Sequence, residues 1–342
     1  MKKLLFTFSI FIHLFVAGQS STSFEHNGIS RNFIYYTPTS WTQGESVPLL
    51  FVLHGLTQSG AGIMSITDFN TIAEANNFIV CYPDGLNNSW NADMNITVSQ
   101  ADDIGFIEEL AIFMQNDFNT DPNRQYLCGF SNGGFMSYTL ACERPDLFRA
   151  IGSVTGNMSA YDQLNCDPSN VLPVIHLHGT LDPTVSYNQG VILDGPWSGG
   201  WGVEEVMDFW TGLMGTTQST EEAVPNTVLL DLSTVDFIRH FGASGGEEFH
   251  HYRVNGGLHD WFGAWGNQDI DSTELLWDFF SNVCAQPATG VLNPLSSSAF
   301  NRQLLRITDM LGRTVSEETE RGGLLLYVYS DGTVEKRMTI NR

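Results

Sequence analysis

The sequence predicts an α/β fold: a mostly parallel sheet flanked by helices, followed by a small C-terminal β-sandwich-like tail. Strand-like and helix-like stretches alternate from Asn32 onward, and such alternation builds a parallel sheet with helices on both faces. The run Pro48 to Leu53 is continuously apolar, as expected of a strand covered on both sides. After Cys284 the composition changes, and short apolar runs separated by turn residues continue to the chain end.

Taken in order, the chain opens with Lys2 and Lys3 before an apolar run from Leu4 to Ala17, with small residues preceding Gln19. This pattern is that of a signal peptide over residues 1–18, cleaved after Gly18, and its apolar core is short for a bilayer span. Strands are expected at Phe33 to Tyr36, Leu49 to Leu53, Phe78 to Tyr82, Tyr126 to Phe130, Phe148 to Val154, Val174 to His178 and Glu248 to Val254. Helical spacing marks Ile104 to Phe118, Val203 to Met214 and Ser272 to Phe280. Asp102 and Asp103, directly before the first of these, are expected to cap its N-terminus. An aromatic, glycine-rich loop runs from Gly195 to Gly202. The main domain is assigned to residues 19–285, and a linker with the tail to 286–342.

A formal charge of −23 excludes nucleic acid as a partner, because phosphates would be repelled, and favours neutral or apolar ligands. Five cysteines leave an odd count in an exported chain. Cys142, after one helix, and Cys166, in the next loop, form the preferred disulfide. Cys128 reads as a small buried apolar residue.

The segment Gly129-Phe-Ser-Asn-Gly133 lies between a strand-like run and a helical pattern. A serine hydroxyl is a poor nucleophile unless held clear of the backbone beside a base, and a sharp strand-turn-helix corner does this. Glycine at positions 129 and 133 spares the corner a collision between side chains. Downstream, Asp182 follows the strand-like run that ends in His178, and Gly256-Gly257 delivers His259 from a loop after another strand. Ser131, Asp182 and His259 thus follow the chain order of the α/β-hydrolase triad. Asp182 would hold the imidazole in one tautomer, and His259 would take and return the serine proton. The oxyanion hole is assigned to the backbone N–H groups of Leu56, after the apolar strand, and Asn132, at the head of the helix, with Thr57 as the alternative to Leu56.

Six motifs together carry a family resemblance: Gly-Phe-Ser-Asn-Gly-Gly at 129–134, Tyr82 to Leu86 with Trp90-Asn91, Asp102 to Phe106, Ala141 to Phe148, His178 to Asp182, and Gly256 to His259. From about Phe24 to Cys284 the chain resembles the secreted polyhydroxybutyrate depolymerase-like and feruloyl esterase group, related to carbohydrate esterase family 1. The resemblance implies an α/β-hydrolase fold and a metal-free, cofactor-free serine esterase acting on aryl or short-acyl esters, polyester or acylated plant polysaccharide. Trp261-Phe262-Gly263 stands where the group usually carries Trp-Pro-Gly, a departure that bears on substrate subtype. The tail resembles the C-terminal sorting domain of the type IX secretion system, which implies that machinery as a partner. A carbohydrate-binding module is the competing reading of the tail.

His176 and His178 share one strand face at a spacing that can bind zinc, but no third ligand accompanies them and a structural role is expected. His250 and His251 compete with His259 for the base, yet fall inside a strand. Trp90, Trp197, Trp201 and Trp261, with Trp265, are expected to supply an aromatic or sugar-stacking cleft. Two other functions remain open at this point, a serine peptidase on the same fold and a non-catalytic polysaccharide-binding surface protein.

Overall fold

The computed structural model describes residues 18–92, 99–188, 200–283, 304–309, 313–315, 324–329 and 334–338. The expected signal-peptide run Leu4 to Ala17, Trp197, Cys284 and the linker lie outside them. The chain divides into two compact units, Met1–Leu292 and Asn293–Arg342.

In the first unit the elements follow as β1 (Gly18–His26), β2 (Ile29–Thr37), β3 (Val47–Leu53), α1 (Gly60–Thr67), α2 (Phe69–Asn76), β4 (Ile79–Pro83), α3 (Asp103–Phe118) and β5 (Thr120–Phe130). They continue with α4 (Asn132–Glu143), β6 (Ala150–Val154), α5 (Ala160–Asn165), β7 (Val174–Gly179), α6 (Val203–Met214), β8 (Gln218–Ala223), β9 (Thr234–Phe241), β10 (Phe249–Asn255) and α7 (Ser272–Val283). One ten-stranded sheet runs in the order β1-β2-β4-β3-β5-β6-β7-β10-β9-β8. Its centre, β4 through β10, is parallel. Both margins are antiparallel, so the sheet is mixed around the expected parallel centre.

The margins differ from expectation for readable reasons. β1 and β2 form a hairpin over Asn27 and Gly28, both at positive φ, the Asn-Gly combination that a tight two-residue turn selects. β8 is Gln-Ser-Thr-Glu-Glu-Ala, exposed at every position, with no apolar alternation to reveal it. In the centre, β3, β4, β6 and β7 are buried along their whole lengths, as continuous apolar runs demand. Leu50, Val52 and Val80 pack in a core shared with Phe69, Leu276, Trp277 and Phe280, which brings α2 and α7 onto one face. The intervening Phe51 meets Phe148 edge-on at 6.0 Å. Phe78 stacks on Trp277 with centroids 3.6 Å apart, and Tyr126 on Phe280 at 5.1 Å. Fully burying such rings contributes on the order of 2–3 kcal/mol each.

Asp102 caps α3, accepting from Gly105 N at 3.0 Å. Asp103 does not share that task. It is buried, ion-paired with Arg31 at 2.5 Å, and accepts the Asn91 N–H at 2.8 Å, so it ties β2 and the loop before α3 together. Cys142 and Cys166 form a disulfide, while Cys81 and Cys128 are buried free thiols. In the second unit, β11 (Leu304–Asp309), β12 (Leu324–Tyr329) and β13 (Val334–Met338) form a three-stranded antiparallel sheet; among the described residues there is no second sheet to make a sandwich.

Buried His26, at the β1–β2 corner, lies 3.2 Å from Asp102 and 2.9 Å from Glu109 on α3. Burial alone would lower its pKa, but the two carboxylates outweigh burial and raise it to about 9. A folded-state pKa above the unfolded value of about 6.5 gives stability that is complete below that pH and lost as pH rises through about 9. Wild type should therefore melt above His26→Gln at pH 6, with the gap closing by pH 10. A gap independent of pH, followed by thermal denaturation, would count against a charged His26.

Candidate active site

β5 delivers a buried strand, Tyr126 to Phe130, directly into Ser131 and α4. Ser131 sits at φ 52° and ψ −115°, a conformation a non-glycine residue adopts only when its surroundings impose it, at a cost of about 1–3 kcal/mol. The imposing contacts are specific. Ser131 N donates to Val154 O on β6 at 2.9 Å, and Ser131 O accepts from Phe135 N at 3.0 Å. A Cβ on Gly129 would lie 2.2 Å from the Gly133 carbonyl carbon, and one on Gly133 would lie 2.4 Å from Leu53 O. Glycine at 133 thus admits the end of β3 against the helix, a contact that the five-residue motif alone did not reveal. Only 6% of Ser131 is exposed.

Asp182 follows β7 and His259 follows β10, two strands that pair in parallel. Leu181 N donates to Gly257 O at 3.0 Å, which sets the two loops side by side. His259 Nδ1 lies 2.7 Å from Asp182 Oδ2. Facing a carboxylate, Nδ1 carries the proton and leaves the Nε2 lone pair free. The other oxygen, Asp182 Oδ1, accepts from Thr184 N at 2.7 Å and Val185 N at 2.8 Å. Burial opposes ionisation of Asp182, but hydrogen bonds from His178 and His259 prevail and hold its carboxyl well below the usual carboxylate range. The His259 ring packs on Phe130, the residue before Ser131, with centroids 5.1 Å apart.

His54 directly follows β3 and organises the facing loop. His54 Nε2 accepts from Gly85 N at 2.9 Å, so Nδ1 carries the hydrogen and donates to Gly55 O at 2.7 Å. Burial pushes its pKa down and keeps it neutral. Thr57 N donates to Asn88 O at 2.8 Å, which removes Thr57 as the alternative oxyanion donor. The Leu56 N–H has no hydrogen-bond partner among the described residues. The Asn132 side chain accepts from Trp90 N at 2.7 Å and donates to Trp90 O at 3.2 Å, clamping the head of α4 to the 85–92 loop. That clamp was not foreseen from sequence, although Asn132 sits inside the motif.

The expected aromatic cleft changes most. Trp90 is 2% exposed and its indole N–H donates to His54 O at 2.9 Å, so it braces the oxyanion loop and offers no open stacking face. Trp261 is 1% exposed, donates to Thr273 Oγ1 at 3.0 Å and belongs to the core. Trp201 remains part-exposed beside Phe209, and Trp265 meets Phe130 edge-on at 6.1 Å. Leu181 and Leu258, 64% and 50% exposed, flank Asp182 and His259 and were missed, because an isolated leucine beside a polar motif carries no signal. His250 is engaged by Glu248 at 2.8 Å and His251 by His176 O at 3.0 Å, so neither faces Asp182. Among the described residues no cluster of three metal-ligating side chains occurs.

A family model described as "Putative esterase" matches residues 25–220, more than half of the chain. The chain belongs to this esterase family. It is 28% identical over 181 residues to feruloyl esterase C of Emericella nidulans, covering 49% of this chain and 62% of that one. Over 171 residues it is 28% identical to a bifunctional acetylxylan esterase/xylanase of Neocallimastix patriciarum, covering 47% and 23% respectively. The match therefore spans less than two thirds of either relative. Among solved structures, an acetyl xylan esterase from Aspergillus awamori superposes with a TM-score of 0.53 at 16% identity, over 70% of this chain and 94% of that one, and so shares the fold.

The elbow geometry sets a clear expectation for Gly129→Ala. The new methyl group meets backbone rather than a flexible side chain, so destabilisation of about 3 kcal/mol or more is expected. A urea midpoint equal to that of wild type would show that the corner can relax.

Proposed function

We propose that this member of the esterase family is a secreted serine carboxylic ester hydrolase of the feruloyl or acetyl-polysaccharide type. The observations that support the reading are the strained Ser131 at the head of α4 and a His259 ring that packs on the preceding residue, Phe130, with its Nδ1 2.7 Å from Asp182. His259 Nε2 takes the Ser131 hydroxyl proton as Oγ bonds to the ester carbonyl carbon. The carbonyl oxygen becomes anionic between the N–H groups of Leu56 and Asn132. Collapse breaks the bond to the alcohol, which leaves with the proton from His259. Water then repeats the sequence on the acyl-enzyme, releasing the acid and restoring Ser131. No step needs a Lewis acid or redox group.

The substrate class is supported by the names of the relatives, feruloyl and acetylxylan esterases, and by the charge of −23, which suits a neutral polymer better than an anionic one. Trp201, part-exposed beside Phe209, and part-exposed Trp265 are the described tryptophans suited to stacking on a substrate ring. Export is supported by the basic-then-apolar N-terminus and by the Cys142–Cys166 disulfide, which suits an oxidising compartment. The tail serves as a type IX sorting domain in this reading.

Ser131→Ala should lower p-nitrophenyl ester hydrolysis on the order of 10³-fold or more and abolish labelling by a fluorophosphonate, with the fold kept. Near-native turnover in the purified variant sinks the assignment. The base must be neutral to act, so the rate falls on acidification, and chelators leave it unchanged. Deleting everything after Ala285 should leave a folded, active enzyme when it is made under oxidising conditions. A folded but inactive truncation would place the tail in the site.

A further inference from the structure

Behind Asp182 a row of buried polar groups leads back into the core. Tyr138 on α4 and His176 and His178 on β7 are all fully buried. Tyr138 OH lies 2.7 Å from His176 Nδ1, His176 Nε2 lies 3.1 Å from His178 Nδ1, and His178 Nε2 lies 2.8 Å from Val185 O and 3.3 Å from Asp182 Oδ2. Their direction can be worked out from one end. A carbonyl oxygen only accepts, so His178 Nε2 must carry a hydrogen. With His178 neutral, its Nδ1 accepts, so His176 donates from Nε2 and accepts at Nδ1 from the Tyr138 hydroxyl. Reversing the row would put a cation on buried His178 and strip Tyr138 O–H of its acceptor, at a cost of about 1–3 kcal/mol for the orphaned hydroxyl alone. Burial keeps the Tyr138 phenol protonated and, with His178 and His251 nearby, keeps His176 neutral. Every hydrogen in the row therefore points the same way, and the last is donated to Val185 O with Asp182 Oδ2 beside it at 3.3 Å.

We propose that His178, polarised by His176 and Tyr138 behind it, is a positioning residue that fixes Asp182 with Oδ2 toward His259 and draws off part of its negative charge. The inference rests on the Ser131-His259-Asp182 reading. His259 Nδ1 at 2.7 Å and His178 Nε2 at 3.3 Å face the same oxygen, so the charge Oδ2 offers to His259 is smaller than a carboxylate with one partner would supply. Other groups lie around the pair. Asp260 is next to His259 in the chain, and the Tyr187 ring packs edge-on against His178 with centroids 5.9 Å apart. His251 meets His176 on β10, Glu204 on α6 bonds Tyr187, and Arg253 is turned to Glu221 and Asp236. Of these, only His178 reaches the oxygen that His259 uses.

The test is the pH profile of kcat on a p-nitrophenyl ester. His178→Leu removes the donor, and the acidic limb should move up by about half a unit to one unit, with kcat lower by roughly tenfold and KM changed by less than about twofold. His178→Gln, whose amide N–H can stand in for Nε2, should return most of the shift. Tyr138→Phe keeps the packing and removes only the terminal hydroxyl, so it covers the case in which the leucine variant does not fold; it should move the limb the same way by less. Superimposable profiles for Tyr138→Phe and wild type, or a downward shift in any folded His178 variant, would overturn the proposal while leaving the triad in place. Ser131→Ala run alongside separates the two, since its retained activity would overturn the triad and this inference with it.

Discussion

The whole site depends on how closely α4 is allowed to approach the ends of β3 and β5. Gly129 and Gly133 leave no room for a Cβ, and the contact they permit is what drives Ser131 into the positive-φ region. That strain is small beside the burial around it, where β3, β6 and the Gln125 to Phe130 end of β5 are buried and held in parallel register. The corner is therefore a property of the central sheet more than of a five-residue motif. Loops from β3, β7 and β10 converge on it because parallel strands end on the same edge.

Polar groups in this core are handled by direction as much as by count. His54, His176 and His251 are fully buried and pushed toward neutrality, chiefly by desolvation. Each then has one donor and one acceptor nitrogen, set by backbone groups at His54 and His251 and by the Tyr138 and His178 side chains at His176. These three imidazoles stay uncharged, whereas buried His26 holds its proton between Asp102 and Glu109, and Asp182 and the Arg31–Asp103 pair are met by hydrogen bonds.

The centre of the fold and the order of the three candidate residues were legible because both are written in local patterns. Apolar runs such as Leu49 to Leu53 announce strands covered on two sides, and Gly-Phe-Ser-Asn-Gly announces a corner. Of the margins, part of β2 was legible as Phe33 to Tyr36, but β1 and the hairpin were not, although Asn27-Gly28 is a hairpin signal in its own right; the strands beside it are part-exposed and polar enough to hide it. Trp90 and Trp261 show the limit of reading aromatics. Proximity to a motif in sequence did not tell whether the ring faces a cleft or braces the loop from beneath, and that is decided by long-range partners, His54 O and Thr273 Oγ1. Asp103 taught the same lesson, since its partner Arg31 lies far away in the chain.

The outer strand β8 has a consequence for how these molecules behave in company. A ten-stranded sheet that ended in an apolar strand would offer its unpaired N–H and C=O groups as a template for another chain. Here the last strand is exposed along its full length and carries Glu221 and Glu222. Glu221 is partnered by Arg253 within the same molecule. A second copy approaching edge to edge would set like charges against each other in register, so lateral growth of the sheet is opposed at its open side.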